Sequence, residues 1–179
     1  MAELDRYVID TNVIINLLTN GETDKPEWFQ RSHALWNAAE GGEFQACLSV
    51  VTVAEVLASP QVRGGHLEKE TRYQRSREAR AWMESGSFMV IDADGVLARQ
   101  AGELAQEFQL KGADALILAS AVRVRAPFLF TWDKGLTKVG SQMRGLTVCA
   151  PDSPDYKHQS SLELREMGGE SGEPPQTGE

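Results

Sequence analysis

Four carboxylates stand alone in otherwise uncharged sequence. Asp10 is the only charge between Tyr7 and Gly21, and Glu55 the only one from Ala46 through Val62. Asp114 is alone from Gly112 to Val122, and Asp133 closes the apolar run Phe128–Trp132. A carboxylate in an apolar segment is costly to bury unless it is hydrogen-bonded, paired or bound to a cation. No Lys or Arg lies within the three isolated stretches to pair locally. Acids without basic partners suit a hard divalent cation, Mg²⁺ or Mn²⁺. Such an ion neutralises charge at phosphorus and provides a nucleophile at neutral pH, which is what phosphodiester hydrolysis needs. Asp10, Glu55 and Asp114 are the candidates to hold the principal ion, with Asp133 aiding through water or a second ion. Thr131 is a candidate to bond an acid or the scissile phosphate. Each acid also has a purely structural account. Asp10, Asp114 and Asp133 would serve as helix caps or complement helix dipoles, and Glu55 would turn to solvent. The constellation carries the signal, not any one member.

The elements that must position these acids follow from hydrophobic periodicity. Leu4 to Ile9 reads as a strand that passes at Asp10-Thr11-Asn12 into a helix marked by Val13, Ile14, Leu17 and Leu18. Asn12 is expected to cap that helix and fix the loop. Further helices are expected over 26–39, 51–58, 67–85, 94–109, 113–123 and 134–139. Strands are expected over 44–49, 88–91, 128–131 and 146–149. Strands alternating with helices through short connections indicate an α/β domain with a mainly parallel sheet. In such sheets the carboxyl ends of the strands line one crevice, so all four acids can face a single pocket.

The residues also carry a family resemblance. Val8-Ile9-Asp10-Thr11-Asn12-Val13 resembles the opening motif of PIN-domain ribonucleases, and Ser49 to Val56 resembles the segment with their second acid. Asp114 to Ala121 and Thr131 to Leu136 resemble the third and fourth motifs. The resemblance covers roughly residues 4–149, and the size and layout look most like VapC-type toxins of toxin–antitoxin pairs. It implies a PIN-like three-layer domain over residues 1–150, with a central sheet of four or five strands. It implies an endoribonuclease leaving a 5′-phosphate, with the same four acids, Asp10, Glu55, Asp114 and Asp133, as catalytic residues; these would hold Mg²⁺ or Mn²⁺, and Thr131 joins the catalytic set from its own position beside Asp133. The expected partners are an RNA substrate, a cognate antitoxin protein and a second copy in a homodimer. The chain departs from the pattern after Ala150, and its stretch from Gln61 to Arg80 is longer than a compact member needs. Two other readings compete: a PIN-like RNA- or protein-binding module without turnover, and a haloacid-dehalogenase-type phosphatase. The latter wants a second Asp two residues after the first, where this chain has Asn12.

Charge at first argues against a nucleic-acid partner: 18 Lys and Arg against 26 Asp and Glu give −8 over 179 residues. Residues 151–179, however, hold seven acids and two bases, so this Gly- and Pro-rich tail alone contributes −5. It is expected to be largely disordered, apart from a weak capping box at Ser160 and Glu163. The body carries −3, four of its acids being the proposed ligands. Basic residues concentrate in Arg63 to Arg80, where Lys69, Arg72 and Arg75 recur at helical spacing and would present one face to phosphates. The bland account is a solvated helix laced with i, i+3 and i, i+4 ion pairs. Trp28, Trp36 and Trp82 are expected in the core, with stacking on bases or a partner groove as the alternative.

Cys47 and Cys149 read as two buried thiols, and scattered His33, His66 and His158 offer no zinc spacing. The N-terminal residues lack a secretory signal, and no apolar run approaches the ~18–20 residues of a membrane span, so a cytoplasmic protein with no membrane association is expected.

Overall fold

The structure is a computed structural model and describes residues 4–22, 25–64, 67–154 and 156. Five strands, β1 (Arg6–Ile9), β2 (Gln45–Ser49), β3 (Met89–Ile91), β4 (Phe128–Phe130) and β5 (Thr147–Cys149), form one sheet in the order β3-β2-β1-β4-β5. Every pairing is parallel. The sheet is thus wholly parallel, where the sequence pattern asked for mainly parallel. Seven helices are described: α1 (Thr11–Leu18), α2 (Glu27–Glu40), α3 (Val50–Ala58), α4 (Lys69–Glu84), α5 (Gly95–Phe108), α6 (Gly112–Arg123) and α7 (Lys134–Gly140). The capping box at Ser160 and Glu163 and most of the tail lie outside the described residues.

Period-two alternation divides the core between the two faces of the sheet. Ile9, Leu48, Phe128 and Phe130 point to one side and pack with Val13, Ile14, Leu35, Trp36 and Val56 of α1, α2 and α3. Val8, Cys47, Leu129 and Val148 point to the other and pack with Ile117 and Leu118 of α6 and with Leu136 of α7. Helices on both faces make the three layers. Helix α6 is apolar nearly all round because it is wedged between sheet and α5, with Leu97 and Ala101 against Ala115 and Ala119. Both cysteines are buried and neither forms a disulfide. Among the described residues no helix is long and apolar enough to cross a membrane.

Local chemistry sets the helix ends near the strand tips. Asp10 has extended backbone and accepts from Thr11 N–H, so Asp10 caps α1. The expected cap, Asn12, instead lies within the first turn. Asp133 caps α7 by accepting from Leu136 N–H at 2.8 Å. Asp94 caps α5 through Val96 and Leu97 N–H and pairs with Arg123 at 2.8 Å. Helix α2 ends at Gly41, and Gly42 follows with φ +81°, a conformation that favours glycine.

Candidate active site

The sheet order places β1 between β2 and β4, and the chain leaves β1 toward β2 before it returns on the other side. The tips of β1 and β4 therefore border the crevice where strand order reverses, the place that binds ligands in open parallel sheets. Asp10 follows β1 and Thr131 follows β4. Asp10 N–H donates to Phe130 O at 2.9 Å, so the two tips are joined by backbone as well.

Asp10 is 4% exposed. Its Oδ1 accepts from Thr11 N–H at 2.6 Å. Its Oδ2 accepts from Asn12 Nδ2 at 2.7 Å and from Thr131 Oγ1 at 2.6 Å. Two lone pairs per carboxylate oxygen leave Oδ2 saturated and Oδ1 with one open position. Burial pushes the Asp10 carboxyl up to about 6, against the Thr131 and Thr11 hydrogen bonds, and the charges of Asp114 and Glu55 push the same way.

Glu55 projects from α3 and is half-buried. Its Oε2 accepts from Thr11 Oγ1 at 2.6 Å. Thr11 thus holds two acids at once, Asp10 through its backbone and Glu55 through its hydroxyl. Asp114 sits half-buried in the first turn of α6, with no hydrogen bond among the described residues. Its carboxyl is raised by burial and by the Asp133 and Glu55 charges, and Lys111 opposes them. Asp133 is exposed beside it. Its N–H donates to Thr131 Oγ1 at 2.9 Å.

The four acids therefore form one repelling electrostatic group, and among the described residues no salt bridge engages any of them. The donor set is oxygen only and suits a hard divalent ion. Among the described residues, however, no three carboxylate, imidazole or thiol groups are closed tightly enough to hold a metal as they stand. The acids share a field and not a preformed cage. The chemistry of the donors fits such an ion, and their side chains have to draw together to ligate it.

Three supporting contacts were not legible as such in the sequence. Asn12 Oδ1 accepts from Trp132 N–H at 3.0 Å and its Nδ2 reaches Thr131 Oγ1 at 3.2 Å, so Asn12 ties the β1 loop to the β4 loop and caps nothing. Trp132 lies flat on Trp28, centroids 4.6 Å apart and planes 4° apart, and its indole N–H donates to Ser32 Oγ at 3.2 Å. Ser120 of α6 meets Ser49 at the β2 tip, hydroxyl oxygens 3.0 Å apart and both residues buried. This joins the helix bearing Asp114 to the start of the helix bearing Glu55. Trp36 and Trp82 pack on each other at 4.7 Å in the core, as expected, whereas Trp28 serves the site loop.

The basic row on α4 is also redrawn. Arg75 turns away and pairs with Glu22 at 2.6 Å. Among the described residues no ion pair links two side chains of α4, where Gln74 and Glu78 make a neutral-to-acid hydrogen bond at 2.9 Å. The laced-helix account does not hold.

The family model described as PIN domain matches residues 7–142. No curated protein sequence matches the chain. Among solved structures, a toxin–antitoxin complex from Klebsiella pneumoniae is similar, with a TM-score of 0.55 and 25% identity over 81% of this chain and 97% of that one. The sarcin-ricin-loop-cleaving toxin VapC20 of Mycobacterium tuberculosis shares the fold, with a TM-score of 0.59 and 18% identity, covering 75% of this chain and 95% of that one. FitAcB from Neisseria gonorrhoeae does so too, with a TM-score of 0.54 and 21% identity over 81% and 97%.

Proposed function

We propose, on the premise that this chain belongs to the PIN-domain family, that it is a divalent-metal-dependent endoribonuclease acting as the toxin of a toxin–antitoxin pair. The observation that carries the reading is the acid group: four carboxylates from four elements, electrostatically coupled and relieved by no salt bridge among the described residues.

In this reading Asp10, Glu55 and Asp114 hold the ion and Asp133 assists. A bound Mg²⁺ or Mn²⁺ supplies charge neutralisation at phosphorus and an activated water nucleophile. The chain's own residues supply placement. Thr131 and Asn12 occupy Oδ2 of Asp10, which leaves its one open acceptor position on Oδ1. Thr11 turns Glu55 toward the same space. Asp133, exposed at the rim and tied by its N–H to Thr131, is reached first from solvent. Buried Asp10 and half-buried Asp114 sit deeper, where like charges make loss of an added cation most costly.

The test is RNA cleavage by the purified chain in Mg²⁺ or Mn²⁺, with Asp10→Asn beside it. Cleavage lost in the variant supports the reading, and cleavage unchanged sinks it. The toxin assignment draws on the similar toxin–antitoxin complex. It expects a cytoplasmic, homodimeric protein whose expression arrests growth, with relief by a cognate antitoxin and no arrest by Glu55→Gln. The open spacing of the acids favours a second reading, a binding module without turnover. Calorimetry separates them: Mn²⁺ binding that Asp10→Asn or Glu55→Gln abolishes excludes the inert module.

A further inference from the structure

We propose that the groove between the C-terminal end of α3 and the first turns of α4 is a second binding site, for single-stranded RNA. Arg63, Lys69 and Arg72 meet its phosphates and Tyr73 stacks on a base. The site rests on the nuclease reading of the acid pocket and lies outside that pocket.

The groove has a volume of about 540 Å³, and Pro60 and Ser76 are among its lining residues. Arg63, Lys69 and Arg72 line it against one acid, Glu70. None of these three cations joins a salt bridge among the described residues. Arg75, the member of the same row that does find an acid, is absent from the lining. Arg77 and Arg80, which also join no salt bridge among the described residues, line the adjoining groove farther along α4 and extend the run of unpaired cations past Tyr73.

Tyr73 is 64% exposed, the most exposed large hydrophobic side chain described. Its face is open to solvent and so accessible for stacking. Arg77 stands 5.9 Å from its centroid on the neighbouring turn, close enough for a weak cation–π contact. An aromatic ring set among unpaired cations is the arrangement that binds single strands without reading sequence: phosphates track the charges and bases stack on the ring. A purely acidic peptide would use the cations and leave the ring idle.

Arg63, Lys69 and Arg72 are all exposed, so their charged heads are open to a ligand. Position completes the case. Helix α3 bears Glu55, and Pro60 follows five residues later, so one element joins the groove to the acid group.

The experiment measures binding of a fluorescent oligouridylate of about twelve nucleotides to the full chain in chelator, where no cleavage runs, as a function of salt. Each lost phosphate contact lowers the salt slope by about 0.7 for a single strand, so the triple variant Arg63→Gln/Lys69→Gln/Arg72→Gln is expected to be shallower by about 2. Should the triple variant fail to fold by circular dichroism, the three single variants are each expected to lose about 0.7. Tyr73→Ala is expected to weaken binding roughly 5- to 150-fold, with Tyr73→Phe near wild type. An unchanged slope in folded variants overturns the site, as does no binding by the wild type. Binding of a polyglutamate peptide at least as tight as the RNA also overturns it, in favour of a protein ligand. Mn²⁺-dependent cleavage of the same RNA by the wild type is read separately. Its absence beside an altered slope sinks the nuclease reading and leaves the groove standing.

Discussion

The hydroxyl of Thr131 lies 2.6 Å from Oδ2 of Asp10, across 121 positions of sequence. The same oxygen accepts the N–H of Asp133 at 2.9 Å and lies 3.2 Å from the amide of Asn12. One small side chain therefore fixes the first acid and the backbone beside the fourth. Thr131→Val keeps the volume and removes all three contacts. Loss of a supporting hydrogen bond at a metal site typically costs 10- to 100-fold in metal affinity or activity. Thr131→Val is expected to lose about that much in Mn²⁺ affinity by calorimetry, with Thr131→Ser near wild type. Equal affinity in Thr131→Val would show that Asp10 holds its place without it.

The raised Asp10 carboxyl makes metal-free stability depend on pH. The folded chain keeps this proton up to about pH 6, whereas the ordinary value is 3.8. Between those values the native state binds more protons than the unfolded chain, so stability falls as pH rises through this window. The difference is on the order of 3 kcal/mol. Asp10→Asn lacks this dependence. Its stability relative to wild type, from urea unfolding in chelator, is expected to improve by about that amount between pH 4 and pH 7. A difference flat across the window would remove the burial argument. Adding Mn²⁺ at pH 7 should then stabilise the wild type and leave the variant unchanged.

The indoles of Trp28 and Trp132 supply a spectroscopic handle on the site loop. Lys25 Nζ stands 4.1 Å from the Trp28 ring centroid, so the pair is closed by a cation. Trp28→Ala is expected to change the near-ultraviolet dichroism strongly. It should also cost about 0.5–1.5 kcal/mol beyond the lost burial. Because Trp132 precedes Asp133, cleavage should fall as well, and Trp28→Phe should recover most of it. Full activity in Trp28→Ala would mean that Asn12 alone positions the loop.

Gly140 ends α7 directly against Val148 of β5, and a Cβ there would fall inside the Val148 side chain. Helix propensity favours Ala by at most about 1 kcal/mol. Overpacking costs about 1–3 kcal/mol and involves backbone that cannot swing aside. Gly140→Ala is therefore expected to lower the urea midpoint, and a rise would show that β5 yields.

Most of this architecture is legible from local pattern. Gly41-Gly42 after a helical run, Pro60 after α3 and the apolar strand cores set element bounds to within a residue or two. Asp10, Glu55 and Asp114 are legible because each breaks an uncharged stretch, and Asp133 because it closes one. What is not legible depends on pairings between distant segments. Asp10 and Asn12 are both good caps, and only the observed start of α1 at Thr11 gives the role to Asp10. That released Asn12 to bridge to Trp132, 120 positions away. Helical spacing puts Arg75 in line with Lys69 and Arg72, but nothing in that spacing reveals Glu22, 53 positions away. Thr11 carries no charge or unusual spacing, so its hold on Glu55 emerges only when α3 packs on α1.

The strand order β3-β2-β1-β4-β5 has a temporal consequence. Strand β1 leaves the ribosome long before its neighbour β4, which pairs Leu129 with Val8. At about 5–20 residues per second, the 121 positions from Asp10 to Thr131 take roughly 6–24 s to translate. Until then Asp10 lacks the hydroxyl that anchors it, and Asp133 has not been made. The growing polypeptide thus completes its acid group only once Asp133 has been made, long after Asp10 has left the ribosome.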